Sequence, residues 1–250
     1  MSSNSNCLDN KNSNISSLNE NFSRFKEEEA MPINPEEYLI SIEGSRSLMV
    51  NWLSFLCTRL NFTDQTLFRS ISLFDQYISR IKIEEAVNLT QENLNLIAIG
   101  CLSLATKLEE INCNYIGFLN EKVLNSENSR KYNNKDLTEM EMKILKRLKY
   151  KTMYSTAIDF IEVYIQIFRN YIGVNNSMNN SETISEIKLL AINIMKNNIN
   201  NILFLTNSSS DFAYLAFIKA LNQVRMMNSF QMKQIEQIIF TFNYQCTNII

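Results

Sequence analysis

Apolar residues recur along most of this chain at intervals of three and four, the spacing that places them on one face of a helix. Leu48, Trp52, Phe55 and the neighbouring Val50, Leu53 and Leu56 predict a helix over 45–60. Thr63 is a good N-cap, and Leu67, Ile71, Phe74 and Ile78 behind it predict a second. A polar stretch then leads to 91–110, where Leu94, Leu96, Ile97, Ala98, Ile99, Cys101, Leu102, Leu104 and Ala105 leave almost no polar face. A helix apolar nearly all round must be surrounded by others, so this one is expected at the centre of a bundle. Shorter patterns predict helices at 36–42, 115–124 and 135–149, the last with Leu137, Met140, Ile144, Leu145 and Leu148 on one face and an outer Glu139–Lys143 pair.

The second half repeats the theme at 157–171, 182–197, 211–227 and 230–244. The third of these carries Ala213, Ala216 and Ala220, small residues that let neighbouring helices come close. The expected fold is therefore all-α, two helical bundles each around a buried central helix. The expected boundaries are a Ser/Asn-rich, disordered tail over 1–30, a first bundle over 31–152 and a second over 153–250.

Composition supports helices over sheets. The 250 residues include only four Gly and two Pro, too little punctuation for a β-sandwich or a doubly wound sheet. A net charge of −2 offers no strong positive field for nucleic acid. The most apolar run, 94–105, falls short of the roughly 20 residues that span a bilayer, and the N-terminal stretch has no signal-peptide character. The absence of histidine removes His-ligated zinc and the Ser-His-Asp triad. No metal site, cofactor or catalytic residue is expected. The five cysteines form no C-x-x-C, and Cys57 and Cys101 sit in apolar helical stretches as small hydrophobes, so a reducing compartment, nucleus or cytoplasm, is expected.

Four segments, in order, resemble the cyclin box of cell-cycle (A/B-like) cyclins. They are Ser45-Arg-Ser-Leu-Met-Val-Asn-Trp-Leu53, Phe74-Asp-Gln-Tyr-Ile-Ser79, the central helix ending Leu104-Ala-Thr-Lys-Leu-Glu-Glu110, and Met140-Glu-Met-Lys-Ile-Leu-Lys-Arg-Leu148. Ser210-Asp-Phe-Ala-Tyr-Leu-Ala-Phe-Ile-Lys-Ala-Leu221 similarly resembles the central helix of the family's C-terminal fold. The resemblance implies tandem cyclin folds, each a five-helix bundle. It also implies a non-catalytic regulatory subunit forming a heterodimer with a cyclin-dependent kinase.

The resemblance further assigns residues. Lys107 and Glu141 match the lysine and glutamate that hydrogen-bond the kinase near its C-helix. Leu108, Leu145 and Tyr150 match apolar positions that face the kinase, although ordinary core packing would also account for them. Arg46 and Asp75 match an internal salt bridge, and Leu96 a buried core leucine. Leu48 and Trp52 belong to the patch that docks substrate or inhibitor peptides. Ser45 stands there in place of methionine, Phe55 where many such cyclins have an acidic residue, and Asn51 in place of aspartate. Two other readings stay open: a cyclin-fold adaptor or transcription-related protein that activates no kinase, and a helical enzyme working through the Glu109–Glu110 carboxylates.

Overall fold

The structure is a computed structural model, and it describes residues 5–33, 43–81, 89–111, 133–174, 181–201, 203–224 and 229–245. Its regular elements are α-helices: α1 (Ser5–Glu28), α2 (Glu43–Leu60), α3 (Asp64–Ile78), α4 (Gln91–Glu109), α5 (Asn134–Arg147), α6 (Ala157–Val174), α7 (Ser181–Asn198), α8 (Leu203–Thr206), α9 (Ser209–Val224) and α10 (Ser229–Gln245). The helices expected at 36–42 and 115–124 lie outside the described residues. No described helix is long and apolar enough to cross a membrane.

Local chemistry starts several of these helices. Thr63 caps α3 and Thr90 caps α4, each hydroxyl accepting the backbone N–H three residues on. Asn133 opens α5 with a reciprocal capping box: its side chain accepts from Asp136 N at 2.8 Å, and the Asp136 carboxylate accepts from Asn133 N at 3.1 Å. At its far end α5 closes through Lys149 and Tyr150, both in the left-handed region (φ 52° and 62°), with Tyr150 N donating to Leu145 O at 2.8 Å.

The chain divides into two units. The first comprises Ala30–Thr156 and Ile199–Asn207. Its centre is α4, buried continuously from Ile97 to Thr106 and packed by α2, α3 and α5. Gly100 permits the approach of α5, because a Cβ there would stand 2.9 Å from Ile144 Cδ1 and 3.0 Å from Met140 Cγ. Cys57 and Cys101 are buried thiols outside any disulfide, and burial, with the Asp75 carboxylate adding to it, pushes the Cys101 thiol well above its ordinary pKa. Leu96 departs from its expected core role. It lies only half-buried, because Leu94, Ile97 and Ala98 take the inward positions on those turns.

The second unit comprises Met1–Glu29, Ala157–Asn198 and Ser208–Ile250. Here α9 packs against α7, α6 and α10, with Ala213, Ala216 and Ala220 buried as their spacing suggested. Over Ser5–Glu28, expected as part of a disordered tail, the structure has the helix α1. Helix α1 docks on α6, burying Leu18 and Phe22, and the Phe22 ring meets Phe160 edge-on at 5.5 Å. Glu29 then accepts the Ser210 backbone N–H at 2.6 Å, capping α9. The signal in the sequence was Leu18, Phe22 and Phe25 at helical spacing, three apolar residues diluted in Asn, Ser and Glu.

The segment Ile199–Asn207, expected within the second bundle, groups with the first unit. Ile33 N donates to Leu205 O at 2.8 Å, and the Ile199 carbonyl accepts from Arg46 at 3.0 Å. The outer pair on α5 also differs from expectation. Glu139 lies 3.8 Å from Lys135, one turn before it, while Lys143 faces a groove instead.

Candidate functional site

Helices α4 and α5 pack against each other and bring Lys107 and Glu141 together, 34 residues apart in sequence. The Lys107 ammonium donates to both carboxylate oxygens of Glu141, at 2.6 Å and 2.7 Å. Ser103, one turn before Lys107 on α4 and fully buried, donates to the same Oε1 at 2.6 Å. The Lys107 side chain is 39% exposed and that of Glu141 only 10%. An ammonium carries three donors and a carboxylate about four acceptor positions. After these contacts the pair still has one N–H and one lone pair unused, the ammonium partly exposed and the carboxylate largely buried beneath it. Such a donor–acceptor couple matches a stretch of backbone that shows one carbonyl and one N–H.

The apolar residues assigned to the same face are not core. Tyr150 is 63% exposed on its left-handed turn, Leu108 is exposed next to Lys107, and Leu145 is half-buried. Met142, directly after Glu141, and Ile111 also expose their side chains. Sequence reasoning missed Ser103, Met142 and Ile111. For Ser103 the signal was a hydroxyl four residues before Lys107, within the apolar run Leu96–Ala105.

Glu109 and Glu110 have separate structural partners. Glu109 Oε1 accepts from Arg69 Nε at 2.5 Å, and Arg69 also donates to the Tyr154 carbonyl. Glu110 Oε1 accepts from Thr63 N at 2.8 Å, Thr63 Oγ1 at 2.9 Å and Thr66 Oγ1 at 2.5 Å, tying the end of α4 to the start of α3. Burial acts to raise the Glu110 pKa, but the hydrogen bonds from Thr66 and Thr63 outweigh it and hold the carboxyl below its ordinary value. A group lowered in this way adds stability above the unfolded value of 4.5 and loses it as pH falls through the folded one. Glu110→Gln is therefore expected to cost about 1 kcal/mol at neutral pH, less than a fully buried charged hydrogen bond because the group is half-exposed. In urea titrations the gap between variant and wild type should shrink from pH 4.5 downward; a constant gap would place the effect elsewhere.

Arg46 and Asp75 form a two-armed buried ion pair between α2 and α3, with Nε to Oδ1 and Nη2 to Oδ2 both at 2.8 Å. The outer face of α2 carries Leu48, Trp52 and Phe55 at helical spacing, Leu48 being 59% and Phe55 55% exposed and Trp52 half-buried. Asn51 accepts from the Asn200 amide at 2.8 Å.

The family described as "Cyclin, N-terminal domain" matches residues 18–153. Among curated proteins, the "G2/mitotic-specific cyclin-2" of Medicago sativa is 26% identical over 135 residues, 54% of this chain and 38% of that one. The "Cyclin-B2-2" of Oryza sativa subsp. indica is 23% identical over 153 residues, 60% of this chain and 34% of that protein. The "G2/mitotic-specific cyclin-2" of Saccharomyces cerevisiae is 28% identical over 121 residues, 48% and 22% of the two chains. The aligned region thus spans well under half the length of each relative. Among solved structures, a viral cyclin from herpesvirus saimiri superposes with a TM-score of 0.60, covering 83% of this chain and 86% of that one at 14% identity, a likeness of fold.

Proposed function

Since the chain belongs to the cyclin family, we propose that it is a regulatory subunit that binds a cyclin-dependent serine/threonine kinase and switches it on. One observation carries this reading: the Lys107–Glu141 couple is fixed by two charge-assisted hydrogen bonds and by Ser103, with Leu108 exposed directly after Lys107. A couple already held in place loses little side-chain entropy when it binds.

The mechanism needs no catalytic group from this chain. A protein kinase is active only when its strand lysine meets the glutamate of its C-helix. Lys107 donates to a carbonyl at the end of that mobile helix and Glu141 accepts from a neighbouring N–H. Leu108, Leu145 and Tyr150 cover its apolar side. These contacts exist only when the helix is turned in, so binding shifts the population toward the working state. Moving that equilibrium from about 1:99 to 99:1 needs about 5.5 kcal/mol of differential binding, within reach of two polar anchors and an apolar contact. Leu48 and Trp52 on the outer face of α2 would take a substrate or inhibitor peptide in the same complex.

The deciding experiment titrates the purified chain into monomeric cyclin-dependent kinases from its own cell. Saturable activation of phosphotransfer by at least one of them is the expected result. Binding without activation would support the adaptor reading, and neither binding nor activation across the whole set would overturn the assignment.

A further inference from the structure

A second surface on the first unit is lined by none of the residues assigned to the kinase face. It is a groove of about 750 Å³ between α3, α4 and α5, a size in the range of ligand and side-chain sites. Its floor is apolar, with Tyr77, Ile97 and Met140 all buried. Its rim is cationic, with Lys143, Lys146 and Arg147 at i, i+3 and i+4 on one stripe of α5. Ile97 and Lys107 are ten residues apart on α4, roughly 15 Å along the axis at 1.5 Å per residue, while on α5 Met140 adjoins Glu141, so the groove and the couple are neighbours that use different side chains.

Arg147 is committed within the fold: its Nη1 donates to Arg80 O at 3.1 Å and its guanidinium lies 5.3 Å from the Tyr77 ring centre. Lys143 and Lys146 are exposed, and among the described residues neither forms an ion pair. The cations open to a partner are therefore two ammonium groups spread over a helical turn. Tight capture of a single phosphate favours a forked guanidinium, whereas separated point charges suit carboxylates spaced along a chain.

We propose that this groove docks a short acidic segment of a partner protein, with one apolar side chain seated on Tyr77, Ile97 and Met140 and flanking carboxylates on Lys143 and Lys146. The site is independent of kinase binding.

The test uses the full chain and a fluorescein-labelled peptide with a central leucine flanked on both sides by glutamates. Anisotropy should report saturable binding that weakens as salt is raised above about 0.15 M. Methyl resonances of Met140 and Ile97 should shift on binding. Lys143→Glu/Lys146→Glu should weaken binding by at least roughly tenfold, with helicity and kinase activation retained because both lysines are exposed and outside the kinase face. Replacing the leucine by alanine, or the glutamates by glutamines, should have comparable effects. Three results would overturn the proposal: no shift at Met140 or Ile97 at saturating peptide, equal binding by the charge-reversed variant, or preference for a neutral peptide bearing a single phosphoserine.

Discussion

Replacing Arg46 with methionine is expected to destabilise the first unit by about 3–5 kcal/mol, the cost of stranding a buried charge. Both members of the pair are almost entirely buried, with side chains 3% exposed. The variant leaves the Asp75 carboxylate without the two 2.8 Å donors it accepts from Arg46, and the Ile199 carbonyl without its 3.0 Å one. It also removes the cation stacked 5.5 Å from the Phe204 ring, which holds the α8 segment against the first bundle. Against a typical total of about 5–15 kcal/mol, a loss of that size brings the unit close to unfolding at ordinary temperature. The companion variant Arg46→Met/Asp75→Leu should recover most of the loss, because an apolar pair of similar volume removes the stranded charge. Urea titrations of the wild type, both single variants and the double variant would measure the coupling. Additive single-variant costs would show that the pair does not act as a unit.

The second large effect concerns the anchors. Lys107→Glu/Glu141→Lys keeps one cation and one anion facing each other across α4 and α5, so the bundle should fold with its helicity intact. What changes is the order of donor and acceptor shown to the partner. Each anchor should then oppose a kinase group of its own kind. With two charged hydrogen bonds of about 1.5–3 kcal/mol each lost, kinase affinity should fall by at least roughly a hundredfold. Affinity measured by titration calorimetry, beside circular dichroism of the free variant, separates this from misfolding. Kinase binding equal to that of the wild type would remove Lys107 and Glu141 from the interface. The single variant Lys107→Ala is a poorer probe, because it strands the Glu141 carboxylate with only Ser103 as donor.

The helical repeat was legible because it depends on the interval between apolar residues within one segment. Thr63, Thr90 and Asn133 marked helix starts for an equally local reason, each satisfying N–H groups of its own first turn. An apolar helix over 91–110 could only be central, and α4 is. The order of four short motifs was enough to find the family and to single out Lys107, Glu141, Arg46 and Asp75.

Other features depend on which helices meet. The docking of α1 turns on whether Leu18 and Phe22 find an apolar seat, and that seat, around Phe160, lies more than 130 residues further along the chain. Leu96 looked as apolar as its neighbours and ended half-buried, because a helix interval does not say which of several inward positions the packing uses. Glu139 had a lysine one turn away on either side, and it lies near Lys135 while Lys143 lines the groove.

By itself, then, the amino-acid order determined helix positions, the central helix of each bundle and the family, all properties of short stretches governed by 3.6-residue periodicity. Only the tertiary structure decided that Ser103 and Lys107 converge on Glu141, that Leu108 and Tyr150 face outward, and that a cationic groove opens along α5. Those depend on the distance and angle at which separate helices pack, which side-chain volumes distributed over the whole bundle set together.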